Sequence, residues 1–103
     1  MLFANKLKQL REQNNLLQRQ MSAALEIDTG LYSKIERGER KAKREQVLKL
    51  SQLLNTDKDE LLTLWLADQV TAVVADEANI AKKVLKIADN SLDEIAYAQN
   101  KVI

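Results

Sequence analysis

The apolar residues of this chain recur at spacings of three and four positions, the pattern of amphipathic helices rather than of strands. The chain has no proline and only two glycines, so little interrupts a helix once it has begun. The fold class is therefore predicted to be all-α. A first helix is expected to end at about Gln13, followed by a short second helix, and their inward stripes are Phe3, Leu7, Leu10 and Leu17, Met21, Leu25.

Polar residues and a glycine delimit the next two helices. Asp28 stands where a carboxylate accepts hydrogen bonds from the amides that open a helix. The third helix is predicted to run from there to about Arg37, where Gly38 supplies a left-handed stop. A fourth helix is predicted from about Lys43 to Leu54, with Asn55 as its cap.

The remainder of the chain is predicted to form three more helices. The D-x-x-E pair of Asp57 and Glu60 opens a fifth helix that runs to about Ala75 and is apolar on two faces. The sequence SLDE, residues 91–94, is interpreted as a capping box that opens a separate last helix. The apolar positions of the sixth and last helices are Ile80, Val84, Leu85, Ile87 and Leu92, Ile95, Val102.

Charge divides the chain into a basic front and an acidic back. Residues 1–55 carry 11 Lys and Arg against 6 Asp and Glu, whereas residues 56–103 carry 5 against 9. A polyanion would be attracted to the first part and repelled by the second. On charge alone, chance segregation of solvated side chains explains this equally well. The run from Arg37 to Arg44 contains five basic residues and one acid, and it too is either a solvated charge run or a surface that meets phosphates.

Enzyme chemistry is disfavoured by the residues that are missing. The chain has no histidine and no cysteine, which removes the usual general base, the thiolate nucleophile and the commonest metal ligands. The carboxylates of Asp57, Asp59 and Glu60 are explained better by helix capping than by a bound cation. We expect no catalytic residue, metal or cofactor. Without a signal peptide or a long apolar run, we expect a soluble cytoplasmic protein with no membrane contact.

A short helix, a tight connection and a second short helix are the parts of a helix-turn-helix. The stretch LLQRQMSAALEIDTGLYSKIERGERKAKREQVLKLSQLLNTDKDELL, residues 16–62, resembles the Xre/Cro/lambda-repressor family of DNA-binding proteins. The resemblance includes the glutamine that opens the second helix, the SKIERG ending and the trailing DELL. It implies a lambda-repressor-like five-helix DNA-binding domain over residues 1–66, followed by a helical extension over residues 67–103.

The resemblance implies a transcriptional regulator that binds double-stranded DNA, more readily a repressor or autoregulator than an activator. The helix at about residues 29–37 would lie in the major groove. The residues matching the family's base-contacting positions are Thr29, Gly30, Ser33 and Lys34. Gln18 matches a phosphate-contacting position of the family. Five cations surround the loop that similar proteins place against the DNA backbone, and they are expected to contact phosphates as well: Arg37, Arg40, Lys41, Lys43 and Arg44. The alternative for all of them is an ordinary solvated surface.

Three positions depart from the family pattern. Leu17 stands where a serine or threonine often caps the second helix, and Glu26 stands where a glycine commonly makes the turn. Gly30 stands where a polar base-contacting side chain is usual, so base reading is sparse or the backbone approaches the DNA closely.

The resemblance also implies a partly buried ion pair between Arg11 and Glu36, for which the alternative is two unrelated surface charges.

The apolar residues beyond the five-helix unit are too many for an exposed tail. They predict a symmetric homodimer, which would also place two recognition helices on successive major grooves. Folding back on the chain's own helices is one alternative. Another is an antitoxin or protein-interaction adaptor whose helices bind a partner protein. The predicted interface residues are Trp65, Val70, Val73, Val74, Ile80, Val84, Leu85 and Ile87.

Overall fold

The protein is all-helical in the computed structural model, which describes the backbone of residues 1–101 and the side chains of residues 1–100. No strand occurs in this part of the chain, as the apolar spacing predicted. Val102, predicted to be an apolar position of the last helix, lies outside the described residues. The helices are α1 Leu2–Gln13, α2 Gln18–Leu25, α3 Thr29–Glu36, α4 Arg44–Leu53, α5 Lys58–Val74 and α6 Ala81–Lys101.

The chain divides into two compact units, Met1–Gln69 and the residues from Val70 onward, so that α5 begins in the first unit and ends in the second. One cluster of buried apolar side chains forms the core of the first unit, and it draws on all five of that unit's helices. Its members are Phe3, Leu7, Met21, Leu25, Tyr32, Ile35, Ala42, Val47, Leu50, Leu54, Leu61 and Leu62.

Four successive helices of the first unit end in the same way. After each of α1 to α4, one residue takes a left-handed conformation, and the amides around it bond back to the last turn, the arrangement known as a Schellman motif. The left-handed residues are Asn15, Glu26, Gly38 and Asn55. The helix ends predicted at about Gln13, at Gly38 and at Asn55 are therefore confirmed. Glu26, with φ at 57°, confirms that a non-glycine residue makes the helix-turn-helix turn.

Glutamine side chains open α2 and α4. The Gln20 side-chain oxygen accepts a hydrogen bond from the Leu17 amide at 2.7 Å, and Gln46 accepts one from the Lys43 amide at 2.8 Å. Each glutamine satisfies the amide of the residue that precedes the helix, which is half of a capping box. The prediction that Leu17 belongs to the inward stripe of α2 was wrong, because Leu17 precedes the helix and is half exposed.

The acidic caps predicted for α3 and α5 form only in part. Asp28 does precede α3, but its carboxylate accepts no hydrogen bond from the described residues, and the start of α3 is held through the Asp28 carbonyl instead. Asp57 accepts from the Asp59 amide at 3.3 Å, as predicted for α5. Glu60 does not return a bond to Asp57, because it forms an ion pair with Lys6 at 3.5 Å.

The second unit contains one long helix where two were predicted. α6 runs without interruption through SLDE, so the interpretation of Ser91 as a cap was wrong. The apolar positions on either side of Ser91 are in phase, since Leu85 and Leu92 are seven residues apart and so are Ala88 and Ile95. No proline or glycine separates them, and a helix that keeps its apolar face in phase has no reason to end.

Within the described part of the chain, no helix is both long and apolar enough to cross a membrane.

Candidate nucleic-acid interface

The two faces of α3 have opposite environments. Tyr32, Ile35 and Glu36 are buried against the first unit's core. The four residues predicted to contact bases lie on the remaining surface of the helix: Thr29, Gly30 and Lys34 are exposed, and Ser33 is partly exposed. The fold therefore keeps the predicted base-contacting residues together on one accessible face.

The Thr29 side chain has its hydroxyl committed within the protein. Ser22 donates its single hydroxyl hydrogen to the Arg19 carbonyl at 3.0 Å, so the 3.0 Å contact between the Ser22 and Thr29 hydroxyls has Thr29 as its donor. This bond ties the start of α3 to α2. Because the hydroxyl is occupied, the methyl group is the part of the Thr29 side chain that remains for apolar contact, for example with a thymine methyl.

Gly30 has no steric or conformational reason to be a glycine in the free chain. It is helical, its φ is not in the left-handed region, and a Cβ built on it would meet no heavy atom within 4 Å. A glycine inside a helix costs about 1 kcal/mol relative to alanine. By contrast, Gly38 has φ at 77°, and a Cβ there would lie 2.8 Å from Met1 Cγ. Within the described chain, no contact or backbone conformation requires a glycine at position 30.

Ser33, Arg37 and Glu39 form a hydrogen-bonded group beside the exposed face of α3. Arg37 donates one nitrogen to the Ser33 hydroxyl at 2.6 Å and another to the Glu39 carboxylate. The Arg37 guanidinium lowers the pKa of the Glu39 carboxyl by hydrogen bonding and charge, and Lys34 contributes to the same effect. The single acid of the basic run is thus paired locally, and the other cations of the run form no ion pair within the part of the chain that the structure describes.

Four cations follow along the connection between α3 and α4. Lys43 is the residue before α4, Arg44 is its first residue, and both are exposed together with Arg40 and Lys41. Lys41 donates to the Gln69 side chain at 3.3 Å. Cations at a helix N-terminus face the positive end of the helix dipole, which disfavours them in an isolated protein. An anion bound there would interact favourably with both the cations and the helix.

The predicted ion pair between Arg11 and Glu36 is present and buried. The closest atoms, Arg11 Nη2 and Glu36 Oε1, are 2.8 Å apart, and the side chains are 13% and 3% exposed. Arg11 also donates from Nε to both carboxylate oxygens and from Nη1 to the Leu16 carbonyl. The alternative of two unrelated surface charges is excluded. The pair joins α1 to the last residue of α3.

The pKa of Glu36 reflects both its burial and its hydrogen-bond partners. Burial raises the pKa of Glu36, but the neighbouring Arg11, Tyr32 and Gln18 side chains outweigh it, so that the pKa lies below its usual value. Burial, followed by the neighbouring carboxylate, raises the pKa of the Tyr32 phenol. The Tyr32 hydroxyl has no hydrogen bond of ordinary geometry to any described residue. Glu36 is therefore charged and Tyr32 neutral at pH 7.

Gln18, predicted to contact a phosphate, has a partner inside the protein. Its side-chain amide donates to Glu36 Oε1 at 3.3 Å, and its side chain is only partly exposed. Gln18 lines a groove together with other polar and charged residues of α1, of α3 and of the segment after α3. These are Asn5, Lys8, Arg11, Ser33, Arg37 and the carboxylates Glu36 and Glu39, which are paired with Arg11 and Arg37. Sequence reasoning did not single out Lys8, because nothing in the spacing of α1 distinguishes it from other solvated lysines. Only the folded chain places this cation beside Gln18.

Asp68 is a second residue that sequence reasoning missed. Its carboxylate accepts hydrogen bonds from the amides of Leu2 at 3.0 Å and Phe3 at 2.9 Å, which are the first two residues of α1. Met1 precedes α1 and supplies no side-chain cap. An aspartate 66 residues away thus caps the helix that carries Arg11. No local sequence signal announces such a contact.

The predicted dimer surface is exposed at some positions and not at others. Val74 is buried within the single chain, so it does not belong to the exposed apolar surface. Trp65 is partly buried against the core, and its indole nitrogen donates to the Ala42 carbonyl at 2.8 Å, which connects α5 to the loop before α4. The predicted interface residues that are exposed are Val70, Val73, Ile80, Val84, Leu85 and Ile87.

No metal site accompanies this surface in the part of the chain that the structure describes. No group of three or more histidine, cysteine, aspartate or glutamate side chains in residues 1–100 is arranged to hold a metal ion.

Comparison with known families agrees with the geometry of the first unit. Residues 4–65 match the family described as helix-turn-helix domain. The match covers more than half of the chain, and the chain therefore belongs to this family of DNA-binding domains. No curated protein and no solved structure matches the chain.

Proposed function

We propose that the protein is a sequence-specific transcriptional regulator that binds duplex DNA as a homodimer and acts as a repressor or autoregulator. It is a binding protein of the Xre/Cro/lambda-repressor type, not an enzyme, and α3 enters the major groove. Repression is favoured over activation because occupying a promoter requires no further surface. The observation that carries the proposal is α3 itself, which is held by the buried Arg11–Glu36 pair while its opposite face is left accessible.

Base contacts and phosphate contacts have separate residues in this proposal. Lys34 donates to guanine O6 and N7, Ser33 adds a hydroxyl, and the Thr29 methyl meets a thymine. Gly30 lets the backbone of α3 approach the base edges. The phosphates are met by the basic connection to α4 and by the groove that contains Gln18. Phosphate contacts set the orientation of the protein on the duplex, and base contacts provide its sequence preference.

The test begins with selection of bound fragments from the source genome, followed by affinity measurements on the selected site and a scrambled duplex. Replacing Lys34 by alanine should reduce the preference for the selected site. Arg40→Ala or Lys43→Ala should weaken both duplexes alike and flatten the logarithmic salt slope by about one, from about −5 for six phosphates. Lys58→Ala, in the acidic first turn of α5, is the control and should change neither quantity. Unchanged binding in the three test variants would exclude this surface.

Gly30 provides a sharper test because stability and binding should change in opposite directions. Gly30→Ala should raise the free energy of unfolding by about 0.5 kcal/mol at most, since it removes a glycine from the first turn of α3 and meets no neighbouring atom. The same methyl group would separate α3 from the base edges, and affinity for the selected site should fall by about tenfold or more. A variant that is more stable and binds equally well would show that the backbone does not approach the DNA at this position.

An antitoxin or protein-interaction adaptor is the second candidate function, and the exposed apolar side chains of α5 and α6 favour it. Salt separates the two candidates. DNA binding through phosphates weakens steeply with added salt, whereas association through apolar helix faces is nearly independent of it. Failure to select any duplex, together with salt-independent binding of a partner protein, would favour the adaptor.

A further inference from the structure

The second unit exposes an apolar face along α6. The helix has 21 residues and is about 31 Å long. A seam with spacings of three and four residues runs along it, formed by Leu85, Ala88, Leu92 and Ile95. All four residues are exposed in the single chain. An amphipathic helix in water normally buries such a face against another element.

The charged residues of α6 are arranged in two blocks of opposite sign. Three lysines lie in the first two turns, and three acids lie in the next two turns: Lys82, Lys83, Lys86 and then Asp89, Asp93, Glu94. Within one helix this order is unfavourable. Lys82 and Lys83 face the positive end of the helix dipole, and Lys82/Lys86 and Asp89/Asp93 are like-charge pairs four residues apart. The stability of an isolated helix therefore does not explain the order.

From this arrangement we infer that α6 pairs with α6 of a second copy of the chain in the antiparallel direction. The inference rests on the homodimer of the proposed function and specifies which surface forms it. In an antiparallel pair the lysine block of each copy lies against the acidic block of the other. In a parallel pair the two lysine blocks lie at the same level along the helices, and so do the two acidic blocks, so that neither block gains an oppositely charged neighbour.

One flank of the seam makes the direction specific. Lys82 and Asp89 are seven residues apart, so both lie on the flank beside Leu85, while Val84 and Ser91 occupy the other flank. A twofold axis perpendicular to the helices brings equal flanks together, so Lys82 of each copy meets Asp89 of the other. In this register Leu85 of each copy packs against Ala88 of the other and Leu92 packs against Ala81, while Ile95 lies beyond the overlapping residues 81–92. A parallel pair brings unequal flanks together and leaves both charges opposite uncharged residues. Neither Lys82 nor Asp89 has an ion-pair partner among the described residues.

Charge exchange between copies tests this pairing. Lys82→Glu and Asp89→Lys each convert two attractive contacts per dimer into two repulsive ones, and each variant alone should self-associate about tenfold more weakly than wild type. An equimolar mixture of the two variants should regain wild-type affinity, because every contact in the mixed dimer is again attractive. Sedimentation equilibrium over a concentration series measures all three. Lys101→Glu, beyond the paired blocks, is the control and should behave as wild type.

Cross-linking gives the direction independently. The chain contains no cysteine, so an introduced thiol is unique. Lys82→Cys mixed with Asp89→Cys should form a disulfide between unlike copies, and Lys82→Cys alone should form little. Three outcomes would each overturn the pairing. The first is a wild-type protein that stays monomeric throughout the sedimentation series. The others are efficient disulfide formation by the Lys82→Cys variant alone and no recovery of affinity in the charge-exchange mixture. Whether the same wild-type sample selects a DNA duplex tests the proposed regulator independently. A protein that selects a duplex without pairing through α6 would contradict only the pairing.

Discussion

The two units of the chain differ in what surrounds their apolar side chains. In the first unit, residues from five helices converge on one buried core, and the buried charge of Glu36 is paired. In the second unit, Val74 is the one buried apolar residue among those that the structure describes. The large apolar side chains left exposed there are Val70, Val73, Ile80, Val84, Leu85, Ile87, Leu92, Ile95 and Tyr97.

The difference shows that hydrophobic pattern and burial are separate properties. α6 is as clearly amphipathic as any helix of the first unit, and its sequence alone would predict a core-facing helix just as well. A helix buries its apolar face only if another element covers it. The first unit supplies such elements from its own chain, whereas the second unit presents a face that a second molecule can cover.

The largest expected effect compares a leucine from each unit. Leu50 is 0% exposed and Leu92 is 63% exposed. Leu50→Ala should lower the free energy of unfolding by about 2 to 5 kcal/mol, because it removes buried contacts and leaves a cavity. At a protein concentration where the chain is monomeric, Leu92→Ala should change the free energy of unfolding by less than about 0.5 kcal/mol. Denaturant titration followed by the fluorescence of the single tryptophan, Trp65, reports on the first unit in both variants. Equal losses would contradict the exposure of the α6 face.

The second comparison uses the two Arg–Glu pairs of the first unit. Arg11→Ala should cost about 3 kcal/mol, because it leaves the buried Glu36 carboxylate without its partner. Arg37→Ala breaks an exposed pair and should destabilise the protein much less than Arg11→Ala does. The same denaturant titrations measure both. If the two variants were equally stable, the buried pair would not be what holds α3 to α1.

The Arg11–Glu36 pair also predicts a pH dependence. The pKa of Glu36 is lower in the folded protein than its usual 4.5, so the unfolded chain binds the proton more readily. The stabilisation is complete above about pH 5 to 6 and is lost as the pH falls through 4.5 and then through the folded-state pKa. Unfolding curves between pH 7 and 3 should show a shallower loss in Glu36→Gln than in wild type. An equal slope would mean that other carboxyls account for the acid sensitivity.

The third effect concerns the cap that α5 provides for α1. Asp68→Ala removes both hydrogen bonds to the first amides of α1 and the charge near its positive end, and should cost about 1 kcal/mol. Asp76→Ala, at an exposed acid without a described hydrogen bond, is the matched control and should be neutral. Hydrogen exchange at the amides of Leu2 and Phe3 should become faster in the Asp68 variant alone. Unchanged exchange there would argue against the cap.

The smallest effect should be a gain. Glu26→Gly relieves the left-handed strain of a side-chain-bearing residue but increases the entropy of the unfolded chain, and the net gain should be about 0.5 kcal/mol. Ala24→Gly, in the helical part of α2, should instead cost about 1 kcal/mol. Thermal unfolding of the two variants gives the signs directly. A loss in both would mean that the Glu26 side chain contributes a contact that outweighs its strain.

Much of the first unit was predictable from local sequence. Helix periodicity and the residues that tolerate left-handed conformations act over a few positions, so the helices and their stops were found correctly. The family resemblance, with the first helix included, also implied the Arg11–Glu36 pair. The capping box at SLDE was misread because a short motif competes with the phase of a longer apolar pattern, and the longer pattern involves more residues. The assignment of base and phosphate contacts remains a prediction.

The sequence by itself determined that the chain is all-helical, where the helices of the first unit end and which residues carry its basic surface, because each of these follows from residue type and short spacing. Only the tertiary structure decided that Asp68 caps α1, that Gln18 supports Glu36 and that the Trp65 indole bonds the Ala42 carbonyl. These partners lie 18 to 66 residues apart, and no periodic signal links them. Such contacts exist because packing the core brings distant polar groups together, and a buried or helix-terminal group is then stabilised by whichever partner it meets.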